Sequence, residues 1–543
     1  MNLGKHSLDK LADALAERRI AEGVAILDQV EGDLAKLSPA HPRAAELVLV
    51  VSEWIDVGYK DHRLLDLMLA KFPPEVRRKL PLEDYLRIRM SEAFRALSTD
   101  DVDIAIGILD FVLAAEQELP NQSVVVLAYF WRGRAHRKKG EYEAALKDIV
   151  YARTLAEQAP GGAISAAVIQ IQEGWVLFQN GMRKEALRLL AKAESVLRST
   201  DYYIALGNIE SARGRIVRRA GEYAKALEHF DRAIAIYAEG DPNHPNLART
   251  LVNAAYVKRL LALQLRRRID VRAQRHLRGK SGAGAVSQEN GHGGLRARHV
   301  EICNEAIEQL RRAREIYALH NHLNGIGSVM LNAGHLHLDR GDIDGAATNA
   351  LEAYRLGFEK SDHILMARAR ILQATAENAR VEEQLGEDVD IAVHADTAKK
   401  FCEEAIALAQ HTQNRRLLAG AYVARGMTAA NDFFQDWELA KRCASDAASL
   451  TGAGDHDHLL EDLATLKTVI MQASGINDIL RGWSEGMLGE KTFQQVTEEF
   501  AEIVIPKVWI REGRKVSRVA QCLSISPKKV RRILRNAGLL THD

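Results

Sequence analysis

Apolar residues along most of this chain recur at helical spacing rather than at alternate positions, and the pattern repeats. Three segments align on a glycine: GRAHRKKGEYEAALKDIVYA from Gly133, GWVLFQNGMRKEALRLLAKA from Gly174, and GRIVRRAGEYAKALEHFDRA from Gly214. Each places a second glycine seven residues on (Gly140, Gly181, Gly221) and an alanine twelve on (Ala145, Ala186, Ala226). A large apolar residue follows at sixteen (Ile149, Leu190, Phe230) and another alanine at nineteen (Ala152, Ala193, Ala233). A fourth copy, GHLHLDRGDIDGAATNALEA from Gly334, keeps Gly341, Ala346 and Ala353 but has the small Ala350 at sixteen, so it should pack differently. The physical reading is a hairpin of two helices. The first glycine lets them approach, the second supplies a left-handed turn, and the alanines mark where only a methyl group fits.

This pattern resembles the tetratricopeptide repeat (TPR), including the Gly-x-Tyr turn at Gly140-Glu141-Tyr142 and Gly221-Glu222-Tyr223. Neighbouring copies lie about forty residues apart rather than the family's thirty-four, so longer helices or looser links are expected. Weaker copies are read at Leu82–Leu97 with Asp101–Glu118, Asn246–Arg267 with Val300–Tyr317, Met366–Ala379 with Asp396–Gln410, and Leu417–Ala430 with Trp437–Leu450. The expected fold is all-α: a TPR-like α-solenoid, a superhelix of helical hairpins, followed by a small helix-turn-helix domain. In such stacks each repeat buries its face against its neighbours, so no single core is needed. The boundaries are a helical N-terminal region over 1–80, the solenoid over 81–455, a capping helix and linker over 456–491, and the terminal domain over 492–543. Within the solenoid, about 266–298 is basic at its flanks and rich in Gly, Ser and Ala between them. It reads as a disordered insertion, with a basic arm for nucleic acid or an acidic partner as the other reading.

Composition agrees. Aromatics are 6% and prolines 11 in 543 residues, which favours long helices over sheets. The four cysteines, Cys303, Cys402, Cys443 and Cys522, show no CxxC pairing. That argues against a disulfide framework or a structural zinc site and suits a reducing compartment. The charged N-terminus lacks an apolar signal core, and Ala44–Val51 is too short to span a bilayer, so a cytoplasmic protein without membrane contact is expected.

Net charge is only +1, but it is unevenly placed. Residues 505–543 hold ten Lys or Arg and two acids, +8, which leaves −7 for the rest. A basic end on an acidic body is the electrostatic footprint of nucleic-acid binding. Thr492–Glu512 reads as a helix broken or bent near Pro506, with Phe493, Val496, Phe500, Ile503 and Val504 on one face. Val516–Leu523 is a short helix with Val519, Ala520 and Leu523 inward, and Ser524-Ile525-Ser526 is a turn. Ser526 is a good N-cap and Pro527 sits at the first helical position, where its missing N–H is harmless. The following helix buries Val530, Ile533, Leu534 and Ala537, turns its cations outward and ends at Gly538. Two short helices about a three-residue turn, the second basic on its exposed side, make a helix-turn-helix.

The segment EGRKVSRVAQCLSISPKKVRRILRNAGL resembles the Fis-type helix-turn-helix that ends many bacterial enhancer-binding regulators. Gly513, Ala520, Leu523, Ile525, Ser526, Leu534, Gly538 and Leu539 carry the likeness over about 45 residues. Ser524 stands where that family usually has Gly, and Pro527-Lys528-Lys529 replaces its usual Arg-x-Thr, so base preference does not transfer. The resemblance implies DNA binding and pairing through the preceding helix, which would set two recognition helices about one DNA turn apart. By position, Ser526, Lys528, Lys529 and Arg532 are expected to face base edges. Arg514, Lys515, Arg518, Arg531 and Arg535 are expected at phosphates. A basic cap, or a contact with RNA or an acidic protein, is the alternative.

No Walker loop, GxSxG or HExxH occurs. His335 and His337 lie two apart and so point to different sides of a helix, and Asp455–His458 (DHDH) is an isolated metal-like run. Trp54, Trp131 and Trp175 fall on core positions. No enzyme activity, cofactor or metal is expected. The expectation is a DNA-binding transcriptional regulator of bacterial type, whose superhelix binds a peptide or protein signal in its groove. A protein-interaction scaffold with a basic tail for nonspecific docking is the competing reading.

Overall fold

The computed structural model describes residues 5–119, 121–278, 285–383, 391–452, 455–473, 491–536 and 539–540. These are helices joined by short turns, with no strand among the described residues. They divide into two compact units, Met1–Leu466 and Lys467–Asp543.

The first unit is a stack of antiparallel helical hairpins, as the glycine register predicts. Gln122–Lys139 pairs with Tyr142–Gln158, Ala163–Gln179 with Arg183–Leu197, Tyr203–Arg219 with Tyr223–Gly240, and Leu323–Asp339 with Ile343–Glu359. The turn glycines Gly140, Gly181, Gly221 and Gly341 have φ of +87°, +86°, +79° and +81°, where L side chains are strained. The first glycine of each copy is a point of close approach. A Cβ on Gly133 would lie 2.7 Å from Ile149, and one on Gly214 2.7 Å from Phe230. In the fourth copy Ala350 is too short to fill that place, and Leu372 of the next helix reaches in instead, 2.8 Å from where a Cβ on Gly334 would sit. Side-chain caps fix several helix starts: Asp342, Asn414 and Asp436 accept from the backbone N–H of Gly345, Leu417 and Leu439 at 2.8, 3.1 and 3.0 Å.

The N-terminal helices, which escaped the repeat register, join the same unit. One continuous core runs from Leu11 to Ile216. Trp54 is fully buried there and lies against Gly23. Asp201 caps the start of the helix Ile20–Leu34 from far along the chain, accepting from the N–H of Ile20 at 2.6 Å and of Ala21 at 2.9 Å.

The superhelix closes on itself. Gln413 donates from its backbone to the carbonyl of Gly140 at 2.8 Å and accepts from the Glu143 N–H at 2.6 Å. Lys360 binds Asp101 at 2.8 Å, and the His456 N–H reaches the Arg219 carbonyl at 3.0 Å.

Parts of the expected insertion fall within described helices. Helices Pro245–Arg278 and Ala285–Leu319 extend from both sides as an antiparallel pair, and residues 279–284 lie outside the described residues. Three of the flanking cations are engaged within the unit. Arg266 donates to the Asp339 carbonyl, Arg267 pairs with Glu461 at 2.9 Å, and Arg298 pairs one turn on with Glu301 at 2.7 Å. The helix His458–Ala473 then lays Leu466 against Gly426. The linker expected up to residue 491 falls mostly outside the described residues. No helix among the described residues is long and apolar enough to cross a membrane.

The second unit has three described helices: Phe493–Arg511, Val516–Cys522 and Pro527–Asn536. The first is one continuous helix with Pro506 inside it, so of the expected break or bend the break is excluded. Its freed carbonyl belongs to the exposed Glu502, where water can satisfy it, and Ile505, Val508 and Trp509 are packed on either side of the proline.

Candidate functional site

Two places gather functional chemistry. The first is a hollow of about 1100 Å³ inside the superhelix, walled by helices between Ala12 and His322. Phe130, Leu127, Ile169 and Ile204 supply apolar wall, and polar groups project between them. Asp56 accepts from the Trp131 indole N–H at 3.1 Å and from Arg134 at 2.6 Å. Asp100 accepts from Lys138 at 2.5 Å and lies 3.2 Å from His322. Asn208 accepts from the Tyr237 hydroxyl at 2.9 Å and from Arg249 at 3.1 Å, and Arg249 also donates to Asn246 at 2.6 Å. Arg137 stacks over Trp175 at 4.8 Å, and Arg215 approaches the same ring at 5.7 Å.

Burial shifts the ionisation of several of these groups. Burial, with the charges of Arg249 and Arg134, pulls Arg137 down to about 9. His244 stacks on Tyr237 and is pulled down to about 4, chiefly by burial. Glu53 is pushed up to about 7 by burial, against the pull of Arg18 and with a further push from Asp56.

A raised carboxyl pKa makes stability depend on pH. The contribution of Glu53 is fully present below the usual 4.5 and is lost as pH rises through about 7. Glu53→Gln is therefore expected to gain thermal stability relative to the natural chain on going from about pH 5 to about pH 8. Melting curves at both pH values check this, and an equal shift at both would contradict it.

The second place is the terminal unit. Val519, Val530, Ile533 and Leu534 are buried against Ile505, Val508 and Trp509. Ser524, in the position where a glycine was expected, takes the left-handed φ of +52° that a glycine would favour. The Ile525 N–H closes the turn onto the Ala520 carbonyl at 3.0 Å. Ser526 caps the last helix, its hydroxyl accepting from the Lys529 N–H at 3.2 Å. Lys528, Arg531, Arg535, Lys515 and Arg518 are exposed and form no ion pair with the described residues. Arg514 is exposed and lies 5.8 Å over Trp509. Ala537 and Gly538 lie outside the described residues.

Two cations assigned to base edges are held back. Arg532 binds Glu498 of the preceding helix at 2.5 Å, and Lys529 lies 3.8 Å from the same carboxylate. On the expected DNA-binding role of this unit, Glu498→Gln should free both and remove a negative charge from the basic face, raising duplex affinity several-fold. Salt titrations of binding check it, and an unchanged affinity would show that the tie does not compete.

Comparison with known proteins bears on the first unit. Residues 205–264 match the tetratricopeptide repeat family. A Rap protein solved with Competence and Sporulation Factor is 12% identical at a TM-score of 0.51, covering 75% of this chain and 98% of that one. The first unit is thus a TPR-like solenoid in fold. Two further structures cover comparable lengths. A Rap conjugation gene regulator of plasmid pLS20 with the Phr* peptide is 12% identical (TM-score 0.44; 75% of this chain, 96% of that one). The apo quorum sensor NprR from B. thuringiensis is 15% identical (TM-score 0.37; 82% and 98%). No curated protein sequence matches the chain.

In this TPR-like solenoid Trp54 and Trp131 are core residues, as expected. Trp175 is half-buried and holds two guanidiniums. His337 pairs with the capping Asp342 at 2.7 Å, and both aspartates of the DHDH run, Asp455 and Asp457, bind Arg416. Among the described residues no cluster of His, Cys, Asp or Glu could hold a metal. Sequence reasoning missed the polar groups of the hollow, above all Arg137, Arg249 and Glu53. Their only signal was a charge at a position where the helical period calls for an apolar residue.

Proposed function

We propose that this chain is a signal-responsive, non-enzymatic DNA-binding regulator. Its solenoid receives a peptide or protein segment in the hollow, and its Fis-type terminal unit binds duplex DNA. The observation that carries the reading is the pairing, in one chain, of a ligand-sized hollow with a helix-turn-helix whose exposed face is cationic. The Rap structure of the same fold was solved with a bound factor, which supports a ligand-receiving role for the solenoid. Ser526, Lys528, Lys529 and Arg532 are the base-reading group, and Arg514, Lys515, Arg518, Arg531 and Arg535 the phosphate-binding group. Phe493 and Phe500, which are exposed, offer the preceding helix an apolar stripe for a second copy. Signal binding then acts by shifting the population of solenoid shapes or oligomers that set the spacing of the recognition helices.

The test is selection of random duplex DNA by the full chain at about 150 mM salt. Enrichment of one motif, abolished by removing residues 513–543, is the expected result. Salt-steep binding without any enriched motif would replace this reading with a scaffold that docks nucleic acid nonspecifically.

A further inference from the structure

The helix Val102–Ala114 differs from the second helices of the hairpins that follow it. Those carry charge where they meet solvent, with five charged residues in Tyr142–Gln158 and six in Arg183–Leu197. Val102–Ala114 (VDIAIGILDFVLA) has two, Asp103 and Asp110. One side of it is buried through Ala105, Ile108, Leu109, Val112 and Leu113. The other side is apolar too, yet it faces solvent. Ile104 is 60% and Phe111 48% exposed, and the exposed Gly107 and Ala114 share their strip at helical spacing. The preceding helix, Leu82–Ser98, widens the strip: Tyr85 packs edge-on to Phe111 with ring centroids 6.0 Å apart, and Leu82, one turn before it, is 49% exposed. None of these residues lines the hollow. A helix apolar on all sides belongs in an interior, and a contiguous exposed apolar patch marks an interaction site.

Shape and charge narrow the occupant. The strip from Ile104 to Ala114 is about 15 Å long, close to three helical turns. At its middle a Cβ on Gly107 would meet nothing within 4 Å, which leaves a notch where a second helix can come close. The surroundings are acidic: residues 82–118 hold nine acids and three arginines, a net −6. Lys139 answers Asp103 and Arg132 answers Asp110, but each cation is shared with a further carboxylate, Glu141 and Asp148. Glu116 accepts from the neutral Tyr129 hydroxyl at 2.9 Å. A second copy of this helix laid on the strip in either direction would set carboxylate on carboxylate, since Asp103 and Asp110 flank it. A helix with cations beside its apolar face meets no such repulsion.

We propose that the outer face of Val102–Ala114 is a docking surface for an amphipathic helix of a partner protein, apolar on one side and flanked by Lys or Arg. This surface depends on neither the hollow nor the terminal unit.

The experiment uses the full chain and a displayed library of helices about fourteen residues long. Leu is fixed on the apolar side and the flanking positions are randomised among Lys, Glu and Gln. Lys-flanked helices are expected to be enriched, and a synthetic peptide of the selected sequence should bind about tenfold or more tighter than its Glu-flanked counterpart. Gly107→Gln fills the notch and replaces a glycine inside a helix, so it should hold or raise the melting temperature while weakening the peptide about tenfold or more. Leu351→Gln, at an exposed apolar position of another hairpin, should leave binding unchanged. Enrichment of Glu or Gln flanks, or of no helix at all, would overturn the proposal. So would equal binding to Gly107→Gln and the natural chain, or an equal loss in Leu351→Gln. Self-association of the natural chain that Gly107→Gln abolishes in sedimentation would give the face to a second copy instead.

Discussion

Phe230→Ala is expected to destabilise the hairpin Tyr203–Gly240 by about 3–5 kcal/mol, because a fully buried ring is replaced by a cavity. The ring sits against Gly214, where a Cβ would come 2.7 Å from it, so Gly214→Ala alone forces a displacement costing about 1–3 kcal/mol. The two changes should not add. The space left by Phe230→Ala accepts the new methyl group, so the double variant should be more stable than the sum of the singles by about 1 kcal/mol or more. In a solenoid each repeat touches chiefly its neighbours, so the effect should be local. Hydrogen exchange of amides within Tyr203–Gly240, compared across the cycle, reads it directly. Strict additivity would mean that the packing of phenylalanine on glycine does not hold the hairpin together, and the meaning given to the repeat register would fail with it.

The second large effect concerns the terminal unit. Lys529→Ala combined with Arg532→Ala is expected to cut the preference for the selected duplex over random duplex about a hundredfold. Each base-reading side chain contributes about 1–3 kcal/mol of discrimination. The loss is at the lower end of that range because both cations first have to leave Glu498. Arg535→Ala serves as the contrast. Its exposed side chain has no ion partner among the described residues, and removing a cation that meets only phosphate should weaken all duplexes alike. The salt dependence should then become shallower by about one unit of slope. Competition binding at two salt concentrations separates these outcomes. A uniform loss in the double variant would place Lys529 and Arg532 among the phosphate-binding residues.

Much of the fold was legible in the sequence, for reasons that can be named residue by residue. The left-handed turns at Gly140, Gly181, Gly221 and Gly341, and the close approaches at Gly133 and Gly214, follow from what a missing Cβ permits. The inward set Val519, Val530, Ile533 and Leu534 follows from the helical period, and the Ser526 cap from its hydroxyl and the proline after it. These are local properties, expressed within one turn or one hairpin.

Tertiary structure decided the rest, because it depended on partners far apart in sequence. The partners of Arg266 and Arg267, the Asp339 carbonyl and Glu461, lie far along the chain, and local composition does not reveal them. The N-terminal helices carry no repeat register, and their place was set by Trp54 against Gly23 and by Asp201 across the stack. The withdrawal of Arg532 toward Glu498 required the preceding helix to lie alongside. The hollow, and the meeting of Arg137 and Arg249 in its wall, depends on the curvature of the superhelix. The sequence by itself determined which residues turn, cap and pack within each hairpin. Only the closed stack decided which charges are left unanswered, because pairing is a matter of distance in space and the repeat period does not encode it.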